Sequence, residues 1–212
     1  MSERPRRVRS RVCCRHEPGL RHEEGYALVM VMIILTIVSV IGVAGMQISM
    51  LAERGARNDR DYQIAWQAAE SGLSDAVSDI HGPGASARRG VFFPSVDTSA
   101  FIDGCGSAGD STGLCRLSTG SKPAWLTVDF NAEGDNARTT PYGRFTGRVL
   151  PAGAHGLQPA RASRYVVELL PDPDDVNAAT CTTDCLYVYR VTAMGFGLRT
   201  DTQAVLQMLY RD

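Results

Sequence analysis

The chain lacks the usual apparatus of catalysis. It has no glycine-rich GxGxxG turn, no phosphate-binding loop and no pair of histidines at helical spacing that could hold a metal. Four histidines are spread over 212 residues, and only His81 and His155 follow residue 22. Both stand in glycine-rich turns, HGPG and GAHG, so a positioned general base is not expected. Charge of one sign is also missing overall: 22 basic residues face 23 acidic ones, for a net charge of −1. A global basic field for nucleic acid is thereby excluded. The largest gap is local. From Tyr26 to Ala52 there are 27 residues without a charge and without a proline.

At about 1.5 Å per residue, a helix of that length spans roughly 40 Å, more than the ~30 Å of bilayer hydrocarbon. Its polar members, Thr36, Ser39, Gln47 and Ser49, are few, and a helix absorbs hydroxyls by bonding them to its own carbonyls. Gly42 and Gly45 interrupt it, marking either a place to bend or close helix packing in the membrane. Residues 1–24 hold seven arginines against four glutamates, whereas Glu53 to Asp61 balances three arginines with three acids. The positive-inside rule then keeps the N-terminus in the cytoplasm and translocates the remainder. No small-residue cleavage site follows the apolar run; a glycine, Gly25, precedes it. The basic leader is therefore expected to be removed and the apolar helix kept.

Helix is expected to continue beyond Ala52. Tyr62, Trp66, Ala69, Leu73, Ala76/Val77 and Ile80 recur at steps of three and four, which puts them on one face that needs a partner surface. His81-Gly82-Pro83-Gly84 ends the helix. Four segments follow from this reading: a leader over 1–25, a transmembrane half over 26–52, an amphipathic half over 53–81, and a β-rich exported domain over 82–212. In the last, residues 124–130 read as a strand, 145–150 as a weaker one, and 164–170, 186–193 and 203–210 as regular strands, the final two forming a hairpin. Cys105, Cys115, Cys181 and Cys185 fall on the exported side, where disulfides form. Of three possible pairings, the local one, 105 with 115 and 181 with 185, closes the shortest loops. A four-thiolate zinc site competes, but two CxxC pairs are missing. Asp129 to Asp135 echoes a calcium loop, with Thr140 where the bidentate glutamate belongs, and reads as a strand end and turn. Asp172, Asp174 and Asp175 read as a solvated loop. No cofactor, metal or enzymatic activity is expected.

A basic leader, a glycine, a long apolar helix turning amphipathic and a disulfide-bearing sheet together resemble a type IV pilin. Gly25-Tyr26-Ala27-Leu28-Val29, Glu53-Arg54, and Gln67-Ala68-Ala69-Glu70-Ser71-Gly72-Leu73 are similar to the N-terminal domain of the PilX minor pilins. Tyr189 to Gly197 and Val205-Leu206-Gln207 are similar to that family's C-terminal strands, and residues 85–160 hardly share in the likeness. The resemblance implies an α+β pilin-like fold, with the long helix packed on a C-terminal antiparallel sheet. It also implies cleavage between Gly25 and Tyr26 by a prepilin peptidase, and N-methylation of Tyr26. Implied partners are other minor pilins, the major pilin, the inner-membrane assembly platform, a tip adhesin and, before extraction, membrane lipid. The implied location is first the inner membrane and then the pilus. One residue departs from the pattern: Met30 stands where major pilins carry a glutamate. That departure implies a place at or near the filament tip and a part in starting assembly. Two alternatives are a type II secretion pseudopilin and an uncleaved, membrane-anchored binding domain.

Overall fold

A computed structural model describes residues 24–82, 88–118, 122–150, 156–174 and 186–211. The chain divides into two compact units between Ala52 and Glu53. One continuous helix, α1, runs over Glu24–His81.

In the first unit every described side chain from Tyr26 to Ala52 is exposed. The hydroxyls of Thr36 and Ser39 donate to the carbonyls of Ile33 (2.8 Å) and Leu35 (2.7 Å), so these polar groups are satisfied within the helix. α1 continues through Gly42 and Gly45, where an added methyl would meet nothing within 4 Å. The segment is long and apolar enough to cross a membrane.

Among the described residues, the second unit contains the amphipathic half of α1, a short helix α2 (Arg89–Phe92) and five strands. These are β1 (Leu114–Arg116), β2 (Thr140–Pro141), β3 (Arg164–Pro171), β4 (Tyr187–Phe196) and β5 (Gln203–Arg211). The order across the sheet is β1-β3-β4-β5, and β2 also pairs with β3. β3, β4 and β5 are antiparallel neighbours, while β1 runs parallel to β3, so the sheet is mixed rather than wholly antiparallel. β3 is buried on both faces, which fits its near-continuous apolar sequence. Tyr165, Val167, Leu169, Tyr189, Val191 and Ala193 meet Ala76 and Ile80 of α1 in the larger core. Val166, on the opposite face, packs with Cys105, Cys115, Ala124 and Phe130.

Three expectations change. Residues 124–130 form no strand. Ala124–Leu126 is a 3-10 turn whose leading N–H, on Ala124, donates to the Glu168 carboxylate at 2.8 Å. Ala124 and Val128, one helical turn apart, face the second core, so the apolar spacing there serves a turn. Residues 145–150 are irregular: Gly143 and Gly147 adopt positive φ, and the Phe145 ring lies 4.0 Å from the Arg88 guanidinium. On α1, Tyr62 and Trp66 stand 48% and 41% exposed, off the packing face. The buried stripe is Asp61, Ala65, Ala68, Ala69, Gly72, Asp75, Ala76, Asp79 and Ile80. Contact is made by the smallest side chains because the backbone of β4 approaches closely. A methyl added at Gly195 would collide with the Ala65 carbonyl and the Ala69 N–H, and one at Gly197 with the Asp61 carboxylate. No room remains there for an aromatic ring. Tyr62 and Trp66 pack on each other instead, with centroids 6.4 Å apart, and Trp66 donates its indole N–H to Glu70 at 2.9 Å.

Candidate functional site

The second unit holds its helix through three buried aspartates. Asp61, Asp75 and Asp79 are 5%, 0% and 1% exposed. Asp61 and Asp79 are 18 residues apart, five turns at 3.6 residues each, and Asp75 lies one turn before Asp79. All three therefore project from one face. A buried carboxylate is costly unless every lone pair finds a donor, and each of these finds donors on a different part of the domain.

Asp61 takes the β4–β5 turn. It accepts the Thr202 hydroxyl at 2.6 Å, the Leu198 backbone N–H, and Arg199 Nε at 3.4 Å. The Thr202 hydroxyl, helped by Leu198 and Arg199 against the opposing effect of burial, holds the Asp61 carboxyl below its ordinary value of 3.8. A depressed folded-state pKa stabilises the fold above the unfolded value, and the contribution is lost as pH falls through the folded one. Stability of the full chain should therefore drop below about pH 4. Asp61→Asn should flatten that part of the acid limb and lower the midpoint at neutral pH. Thermal melts of both proteins between pH 3 and 7 measure this, and an unchanged acid limb in the variant would count against the role.

Asp75 takes the 141–148 turn, accepting the Gly143 N–H at 2.7 Å and the Thr146 hydroxyl at 2.5 Å. Beside it, Arg148 donates to the Ser74 carbonyl at 3.2 Å and the Ser78 hydroxyl at 3.0 Å. Asp79 takes the deepest part. Its Oδ2 accepts Arg88 Nε and the Tyr165 hydroxyl, each at 2.8 Å. Arg88 Nη1 continues to the carbonyls of Thr112 (2.7 Å) and Asp110 (3.2 Å). Burial, then the neighbouring Asp79 charge, pushes the Tyr165 phenol well above its ordinary value, so it stays a neutral donor. The fold is thus latched to the helix at three points.

The Cys105–Cys115 disulfide is formed, and both cysteines are buried. Cys181 and Cys185 lie outside the described residues, as does His155. Tyr26 is 78% exposed and sits with Gly25 in the first turn of α1. Ala69 and Ile80 are buried against the domain, and Leu73 is half-buried beside the larger core. No constellation for catalysis comes together among the described residues. Asp129 accepts its own turn's Asn131 N–H at 2.8 Å, and Arg161 fills the loop, donating to the Glu133 carboxylate at 2.8 Å and the Asn131 carbonyl at 2.9 Å. Asp172 and Asp174 share Arg211, at 2.7 and 2.8 Å. Glu168, fully buried, is satisfied by Arg190 at 2.7 Å and by Ala124. A cleft of about 390 Å³ beside Ile64, Gln67 and Ser71 is lined across from α1 by Leu157, Pro159 and Arg161, and that arginine is already committed to Glu133. Among the described residues no group of three His, Cys, Asp or Glu could hold a metal ion.

Two family models divide the chain. The PilX N-terminal model matches residues 24–74, and the C-terminal model of the type IV pilus assembly protein PilX matches residues 111–212. The chain belongs to the PilX family of type IV pilus assembly proteins. No curated protein and no solved structure matches it significantly. In this PilX-family minor pilin the N-terminal match carries Asp61 and most of the small-residue stripe. The C-terminal match carries the whole sheet, including Gly195 and Gly197. The Asp79–Arg88 latch falls between the two matches. What sequence reasoning missed was the aspartates; the available signal was three acids in register with Ala65, Ala69, Gly72 and Ala76 on a face that otherwise reads as apolar.

Proposed function

We propose that this minor pilin sits at or near the tip of the filament and helps start its assembly. The observation that carries the reading is Met30. The apolar half of α1 offers no carboxylate anywhere between Tyr26 and Ala52. A charged amine brought into hydrocarbon is costly unless compensated. In the pilin superfamily the glutamate at the position of Met30 is thought to supply that compensation to a neighbouring subunit's N-terminal amine. A subunit without it serves best where one such contact is dispensable, at an end of the filament.

In this reading, prepilin peptidase cuts between Gly25 and Tyr26 on the cytoplasmic face, and the Tyr26 amine is methylated. The apolar half of α1 anchors the chain in the inner membrane, N-terminus inside and sheet domain in the periplasm. On extraction by the assembly platform it exchanges lipid for the helices of the major and other minor pilins. The role is structural: the domain carries outward-facing loops, the usual place for recognition, toward partners that include a tip adhesin. The three-aspartate latch supports this reading, since a subunit drawn out of a membrane by its helix must keep its domain attached.

The test is mass analysis of the native chain together with Met30→Glu. The mature wild-type chain should begin at Tyr26, and Gly25→Ala should abolish the loss of the leader. Met30→Glu should disperse the subunit along the pilus and reduce piliation. Unchanged piliation with unchanged position would count against the tip, and a native chain that retains its leader would count against the pilin pathway altogether.

A further inference from the structure

β3 opens on an arginine whose charge has no counterpart. Arg164 is 8% exposed and makes no ion pair. Its Nε donates to the Thr139 hydroxyl at 2.6 Å and its Nη2 to the Thr139 carbonyl at 3.1 Å. Tethering Thr139 requires donors, not a charge, and a buried charge without a counter-ion is costly. Nη1 is left over. Every buried side-chain nitrogen and oxygen among the described residues has a partner, so Nη1 is where this guanidinium meets solvent.

Two more arginines converge there. Pro141 pairs with Arg164 across β2 and β3, and the Arg144 N–H donates to the Pro141 carbonyl at 3.2 Å, so the turn bearing Arg144 starts opposite Arg164. The Arg144 guanidinium lies 5.5 Å from the centre of the Phe145 ring and has no acidic partner. Arg161 lies over Phe196, two residues beyond the Met194 that pairs with Arg164. It gives Nε and Nη2 to Glu133 and Asn131 and keeps Nη1. Burial, then the Arg161 charge, lowers the Arg164 guanidinium from its ordinary value; Glu133 opposes this and Arg144 adds to it. Three cations therefore share one carboxylate.

The sequence around them is one-sided: residues 136–167 contain five arginines and no acid. The undescribed segments do not restore the balance. Residues 83–87, 119–121 and 151–155 contain no acid. Asp175, Asp184 and Asp212 stand within two residues of Asp174, Leu186 and Arg211, beside the end of the sheet where Pro171 pairs with Tyr187. Arg164 is at the other end of β3, about 23 Å away. The glutamates of residues 1–24 leave with the leader in the reading above.

We infer that Arg144, Arg161 and Arg164 form a binding site for a phosphate group, free or as a monoester, that comes from outside the chain. The open nitrogens belong to three side chains on three segments. Such a phosphate carries at least three terminal oxygens to meet them, whereas a carboxylate carries two.

Isothermal titration of the purified full chain in detergent, at constant ionic strength, tests this; the mass of the sample shows separately whether the leader has gone. Inorganic phosphate should bind saturably, and acetate at least about tenfold more weakly. Glycerol 3-phosphate, the water-soluble headgroup of a phosphomonoester lipid, separates the sources: tighter binding than inorganic phosphate assigns the site to a headgroup, and equal or weaker binding to free phosphate. Arg144→Gln and Arg164→Met should each weaken phosphate at least about tenfold, the loss of one charge-assisted hydrogen bond. Arg144 is exposed, so its variant keeps the fold even where Arg164→Met does not. Arg116→Gln, which removes an exposed arginine paired with Asp103, should leave the affinity unchanged. No saturable binding, equal binding of acetate, an unchanged affinity in Arg144→Gln or an equal loss in Arg116→Gln would each overturn the assignment.

Discussion

Arg88→Met should cost the folded chain about 3–5 kcal/mol, the range for removing one partner of a buried ion pair. Arg88 and Asp79 side chains are both 0% exposed. Removing the guanidinium takes the Arg88 charge away from the buried Asp79 carboxylate, which also accepts the Tyr165 hydroxyl, and strips the Thr112 and Asp110 carbonyls of a donor. It also removes the cation from the face of Phe145. The penalty is therefore that of a buried carboxylate deprived of an ion-pair partner, not of one lost contact. Asp79→Leu combined with Arg88→Met should recover much of it, since an apolar pair of similar volume avoids desolvating two ions. Chemical denaturation of the full chain in detergent, compared across the two single variants and the double, measures the coupling. A double variant as unstable as the sum of the singles would show that the pair acts through packing rather than charge.

That latch explains what could and could not be seen in the amino-acid order. The long helix was legible because the absence of charge over 27 residues admits few structures. The strands at 164–170, 186–193 and 203–210 were legible because they are regular, sheet-forming sequences with polar and glycine-bearing joints. The packing face of α1 was read from its bulkiest apolar residues, and that choice failed at Tyr62 and Trp66. The rule that large apolar residues go inward presumes space, and the space was removed by Gly195 and Gly197, more than 120 residues further along the chain. Once β4 approaches the helix backbone, only alanine, glycine and hydrogen-bonded aspartate fit. The same reasoning covers 124–130. Its strand-like composition is real, but the Glu168 carboxylate offers an acceptor to the Ala124 N–H that no ladder supplies, and a turn results. In each case a distant residue decided, and local periodicity carries no information about distant residues.

The aspartates also give the long helix a different meaning from that of an ordinary amphipathic helix. Apolar burial alone would hold the domain by a surface that can slide, because hydrophobic contact is non-directional. Carboxylates with two or three specific donors each fix the register along and around the axis. The contacts at Asp61 and Asp79 are five turns apart, so slippage by a single turn would break both at once. If, as proposed, the subunit passes from membrane to filament by its helix, a fixed register lets the domain arrive in a defined orientation.

Replacing both Cys105 and Cys115 with serine should cost about 3 kcal/mol, the loop-entropy value for a closure of this size. The two cysteines are 10 residues apart and are 3% and 0% exposed. The loop they close also carries the Thr112 and Asp110 carbonyls that receive Arg88, and the Gly113 carbonyl that accepts the Val167 N–H from β3. Loosening it should therefore weaken the Asp79–Arg88 latch from the other side. The two sets of substitutions should not add. In the serine background the loop carbonyls are already less well placed, so Arg88→Met should cost less than in the parent, with an interaction term of about 0.5–3 kcal/mol. Serine substitution separates this effect from any contribution of Cys181 and Cys185, which a general reductant would also reach. Denaturation midpoints of the parent, the serine pair, Arg88→Met and the triple variant decide the matter. Strict additivity would mean that the disulfide steadies its own loop and nothing else, and the latch would then be anchored by β3 alone.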